Sequence, residues 1–219
     1  MRHRLMRVFG CVLLFATGLT LATANVITAT HRLPTPVGGT FAIPLGTSNP
    51  GVQIAQTFTA ETDGKLQTVS IAAVSLDRDP TGLQLAVMTL VNGQPDAVLG
   101  SSPLAGLDVD GRFSDITMLN AAADFSAQYI VLQAQQQYAL LFVPQRALAS
   151  FQVLGDQTAG TGRDYAGGEI LRSTGGNPFQ LVPGGDLAFE VAVIAVPEPT
   201  TSILFITLVA GCGLRRRIL

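Results

Sequence analysis

The sequence predicts an all-β fold, an antiparallel β-sandwich of jelly-roll type, flanked by an N-terminal signal peptide and a C-terminal membrane helix. Three observations carry the prediction. Eight to ten short segments alternate or run apolar over strand length, Gly, Pro, Asn and Asp punctuate them, and almost no stretch has helical period. A small barrel is the alternative closure. No repeat of solenoid or propeller period is present, so a single domain is expected.

The segments follow in chain order. Residues 25–51 are rich in Thr, Pro and Gly and read as a lead-in, with one edge strand around Phe41–Ile43. The ectodomain is expected over 52–195. Gln53–Thr59 places Ile54 and Phe58 on one face, and Asp63-Gly64 marks a turn. Leu66–Leu76 is partly apolar on both faces, and Asp77-Arg78-Asp79-Pro80 ends it. Leu83–Leu90 alternates and runs into Asn92-Gly93, a hairpin signal. Ala97–Leu99 and Phe113–Leu119 are further strand candidates, whereas Ala121–Phe125 has the composition of a helical turn. Tyr129–Leu132, Tyr138–Val143 and Ala149–Leu154 are strands, the first two joined by a Gln-rich link. Gly155–Pro183 reads as a long glycine-rich connection, and Leu187–Ile194 closes the body.

Both chain ends look like delivery devices. Arg2, His3, Arg4 and Arg7 precede an apolar core from Val8 to Leu21, and Ala22-Thr23-Ala24 has the small-x-small pattern cut by signal peptidase. Residues 1–24 are therefore expected to be removed, exposing Asn25. Cys11 is no lipobox cysteine, because the apolar core follows it. At the other end, 196–219 combines Pro197-Glu198-Pro199, an uncharged apolar run and Arg215-Arg216-Arg217. An apolar run of about 14 residues covers roughly 20 Å as a helix, short of a hydrocarbon core near 30 Å, and the arginines fix its orientation. Such a layout suits a marginal anchor or a signal that is recognised and removed.

This tail resembles the PEP-CTERM sorting signal of Gram-negative bacteria. The resemblance implies that a membrane-embedded exosortase recognises Pro197, Glu198 and Pro199, cuts there, and passes the protein to the cell surface or an extracellular polymer matrix. The expected partners are thus signal peptidase, exosortase and, before processing, the inner membrane. Segments of the body are similar to choice-of-anchor ectodomains: Gln56-Thr57-Phe58-Thr59, Leu132-Gln133-Ala134 leading to Tyr138-Ala139-Leu140, Tyr165-Ala166-Gly167-Gly168, and Asp186–Val191. That family implies a jelly-roll sandwich at the surface and no reaction. Where it has glycine after Leu-x-Ala, this chain has Gln135.

Charge excludes one class of partner. Of thirteen Lys and Arg, six lie in the two end segments. Between Asn25 and Val196 the bases are Arg32, Lys65, Arg78, Arg112, Arg146, Arg163 and Arg172, against about twice as many acids. Such a surface repels phosphate backbones, so nucleic acid is not an expected partner. Both cysteines, Cys11 and Cys212, lie in the end segments, which leaves the body without disulfide, thiolate zinc site or thiol nucleophile. A body of about 170 residues is long enough to stand on its hydrophobic core.

No catalytic constellation emerges, and no enzyme activity is expected. His31, beside Pro34 and Pro36, reads as a solvated loop histidine, and no single pair of carboxylates stands out for a glycosidase. Asp108 and Asp110, like Asp77 and Asp79, offer oxygens two apart, too few by themselves for calcium, so no cofactor is expected and a structural ion is the alternative. Gly160-Thr161-Gly162-Arg163 lacks the third glycine and the lysine of phosphate-binding loops. A carbohydrate-binding module is the alternative function, with a polysaccharide hydrolase that uses two acidic residues ranked behind it. With no tryptophan in the chain, the module's best ligand contact would be Tyr165, read as exposed in the glycine-rich loop.

Overall fold

A computed structural model describes residues 25–31, 40–46, 52–76, 81–107, 119–145, 150–156 and 165–195. The strands are β1 (Asn25–His31), β2 (Thr40–Gly46), β3 (Val52–Thr59), β4 (Gly64–Ile71), β5 (Ala73–Ser75), β6 (Leu83–Val91), β7 (Gln94–Ala105) and β8 (Ala121–Asp124). They continue with β9 (Val131–Leu132), β10 (Gln137–Pro144), β11 (Ser150–Asp156), β12 (Ile170–Thr174), β13 (Gln180–Leu181), β14 (Asp186–Leu187) and β15 (Phe189–Ala195). Among the described residues there is no helix, and every strand pairing is antiparallel.

One sheet runs β1-β15-β4-β8-β7-β6-β10-β3-β12-β13, with β9 added beside β4. A smaller sheet runs β14-β11-β2, with β5 also on β11. The large sheet turns a corner at β7, whose long first part pairs with β6 while Leu104 and Ala105 pair with β8. Beyond that corner the sheet faces itself. Phe58 of β3 and Phe189 of β15 stand six places apart in strand order, yet their ring centroids lie 6.2 Å apart. The small sheet adds Phe151 and Val153 to the same core.

Period-two alternation explains the main core. Leu83, Leu85 and Val87 of β6, Tyr138, Leu140 and Phe142 of β10, and Ile54 and Phe58 of β3 all point into it. The intervening Ala86, Met88, Ala139, Leu141 and Ala55 are buried too, in a second cluster that Phe179, Leu90 and Val143 cover. Covering on both faces is why these central strands read as nearly continuous apolar runs. Each fully buried phenylalanine side chain contributes about 1.5–3 kcal/mol.

Turn chemistry follows the backbone. Asn92 (φ 52°) and Gly93 (φ 74°) close the β6–β7 hairpin in the left-handed region, as a two-residue I′ loop requires. Gln135 also has φ 64°, in a turn closed by Gln136 N donating to Gln133 O. Glycine is the residue that adopts this conformation without steric cost.

Several expectations need correction. The lead-in supplies the expected edge strand around Phe41–Ile43, as β2 paired with β11, and also an unexpected one, β1, which pairs along its length with β15. His31 is the last residue of β1, its backbone opposite Phe189, so it lies on a strand and not in a loop. Ala121–Asp124 is strand β8, because Ala121 and Ala123 fit a crowded inner face between β4 and β7. The glycine-rich stretch contains β12 and β13, with β12 pairing to β3. Tyr129 and Ile130 precede the short strand β9 and do not belong to it. Residues 1–24, 196–219, Asp77, Asp79, Asp108, Asp110 and Gly160–Arg163 lie outside the described residues.

Candidate functional site

A buried polar cluster joins β3, the 165–169 turn and β14. Gln56 shares the inward face of β3 with Ile54 and Phe58, so its amide enters the core with no exposure to solvent. A buried amide has to be satisfied. Gln56 Nε2 donates to Asp186 Oδ1 (3.1 Å) and Thr57 O (3.0 Å), and its Oε1 accepts from Leu187 N (2.8 Å). Asp186, itself buried, accepts from Tyr165 N on Oδ2 (2.7 Å). Both carboxylate oxygens are thereby engaged as acceptors, which fastens β14 and the start of the turn onto β3.

The neighbouring residues complete the strap. Thr57 Oγ1 accepts from Glu169 N (2.7 Å) and donates to Glu169 O (3.2 Å), while Thr59 Oγ1 donates to Gly167 O (2.8 Å). The turn lies so close that a Cβ on Gly168 would collide with Thr57 O.

Tyr165 is half-buried, which corrects its reading as an exposed contact. Its ring meets Phe189 edge-on at 5.1 Å between centroids, and its hydroxyl donates to Thr59 O (3.4 Å). Burial pushes the phenol pKa above 10.0; a hydrogen bond with the Thr59 backbone opposes this, and Glu61 and Asp186 push it further up. The folded state therefore resists the phenolate more than the unfolded state does. The associated stability is complete below about pH 10 and is lost as pH rises through the raised folded value. Tyr165→Phe is expected to abolish this part of the alkaline loss, as read from urea unfolding midpoints at stepped pH; an unchanged alkaline profile would contradict the assignment.

An open cleft of about 280 Å³ lies beside the strap, lined by Tyr165, Glu169, Leu181, Gly184 and Asp186 among others. A second, of about 480 Å³, contains Arg172, Asn177 and Gln180. Their polar linings offer hydrogen bonds to a polyol. Among the described residues no group of three or more His, Cys, Asp or Glu is placed to hold a metal ion. Tyr129, which sequence alone placed in a strand pattern, is 88% exposed. Gln56 was missed by the sequence reading, although its place two residues from both Ile54 and Phe58 on a period-two strand is the signal that finds it.

A scan against protein-family models finds no match to the chain, and a search of curated proteins finds none either.

Proposed function

We propose that the chain is a non-enzymatic protein of a Gram-negative cell surface or extracellular matrix, exported by residues 1–24 and sorted by residues 196–219. One observation carries the reading: Pro197-Glu198-Pro199, an apolar run and Arg215-Arg216-Arg217 stand in that order behind an acidic, strand-rich body that itself follows a signal-like segment. The all-β body supports it, and so does its last strand, which ends at Ala195, directly before the hinge. We assign the body to the jelly-roll type of sandwich. Signal peptidase and exosortase are the processing partners, and the inner membrane holds the chain in transit.

The test is sorting. In a host with an exosortase, the Glu198→Ala variant is expected to stay in the membrane fraction with its tail attached, while the unaltered chain leaves it. Equal release of both would overturn the proposal.

A carbohydrate-binding module is the second reading, favoured by the open polar cleft beside Tyr165, Glu169 and Asp186. It requires that the chain hold a soluble polysaccharide.

A further inference from the structure

The body begins and ends at the same place. Asn25, the first residue of β1, pairs with Ile194; Ile194 pairs on its other side with Lys65; Lys65 pairs with Val131. These four residues form one row across β1, β15, β4 and β9, about 14 Å wide at normal strand spacing. Ala195, Gly64 and Leu132 form the next row. The apolar tail therefore leaves the body at the end where its first strand begins, within reach of a single bilayer surface.

Beside that end, on the outer face next to β4, stand an exposed aromatic and an exposed aliphatic side chain. Tyr129 is 88% and Val131 46% exposed. The loop that presents Tyr129 is tied to β4 and β7 by hydrogen bonds of its neighbours. Phe125 N donates to Gln67 O (2.7 Å), Leu66 N to Ile130 O (2.8 Å), and the Gln128 side chain to Ser101 O (2.7 Å). The Ser126 hydroxyl, and after it Ser126 N donating to Asp124 Oδ1 (2.8 Å), hold the Asp124 carboxyl below the usual range. Lys65 Nζ donates to Ser126 O (2.8 Å) and stands 5.3 Å from the centroid of the Tyr129 ring. The backbone that presents Tyr129 is thus fixed by the bonds of its neighbours.

We propose that, while the tail is still attached, this end of the body docks on the outer face of the membrane that holds the tail. Tyr129 and Val131 enter the boundary between headgroups and acyl chains, and Lys65 stays at headgroup level. Tyrosine and lysine are the residues that favour this layer, since each joins an apolar body to a polar tip. The proposal rests on the export and sorting reading. Glu61 and Asp63 are exposed nearby, so the contact is apolar and favours zwitterionic over anionic lipid. It also places the sorting motif: from Ala195 to Pro199 the chain spans at most about 14 Å, so a docked body holds Pro197-Glu198-Pro199 at the membrane surface.

The chain contains no tryptophan, so Tyr129→Trp installs a sole reporter. Leu76→Trp is the control, 42% exposed and beyond the far end of β4, which spans roughly 23 Å from Gly64 to Ile71. The full chain is reconstituted in phosphatidylcholine vesicles with brominated acyl chains and floated. The chain is expected to float, with emission of Tyr129→Trp blue-shifted and quenched at least about twofold more than that of Leu76→Trp. Val131→Trp is a second reporter with the same expectation, should Tyr129→Trp fold poorly. Failure to float would overturn the tail reading and the docking together. Flotation with both reporters equally quenched would overturn the docking alone. A blue shift that grows with protein concentration in the absence of lipid would assign the surface to a second copy. One produced by soluble polysaccharide, and not by vesicles, would assign it to a sugar. Either outcome overturns the docking.

Discussion

Replacing Phe189 with alanine is expected to destabilise the body by about 3–5 kcal/mol, the range for emptying a buried phenylalanine site. Phe189 is fully buried at the point where the large sheet closes on itself, against Phe58 from across the core and the edge of Tyr165. It also lies mid-sheet, with its backbone between His31 and Ile71, which leaves little freedom to collapse into the cavity. Denaturant unfolding measures the loss. Val98→Ala, at a residue 59% exposed, is the comparison and should change stability by less than about 0.5 kcal/mol. A cost for Phe189→Ala below about 1.5 kcal/mol would mean that the two halves of the sheet do not meet at this residue.

Gln56→Leu is expected to cost about 3–5 kcal/mol although it keeps the side chain's bulk. The substitution takes the donor from Asp186 Oδ1 and the acceptor from Leu187 N, both inside the core. Each buried group left without that partner costs about 1–3 kcal/mol, more where it is charged. The measurement is again the unfolding free energy in urea. A loss under about 1 kcal/mol would show that the strap between β3 and β14 does not depend on this amide.

These two residues show which parts of the architecture could be read from the chain. Phe189 belongs to an apolar run whose strand assignment needs only local alternation, and the same holds for β3, β6 and β10. The misread elements depended on distant partners. Asn25–His31 looks like a Thr-rich leader until β15, about 160 residues away, supplies its ladder. Ala121–Asp124 has the composition of a helix, yet its small alternate side chains are what the inner face between β4 and β7 admits. Strand β12 lay hidden in glycine-rich sequence because its order comes from pairing with β3. At the candidate site, chain order could not reveal that Asp186 meets Gln56 from 130 residues away. Nor could it separate the tyrosine that packs, Tyr165, from the one that protrudes, Tyr129.

The proposed export and the proposed sorting of the body make one account, and an intact mass of the mature protein from its native host tests it most directly. The account predicts a polypeptide that starts at or near Asn25 and stops near Pro199 or Thr200. A mature chain that still carries Arg215, Arg216 and Arg217, or still begins at Met1, would contradict it.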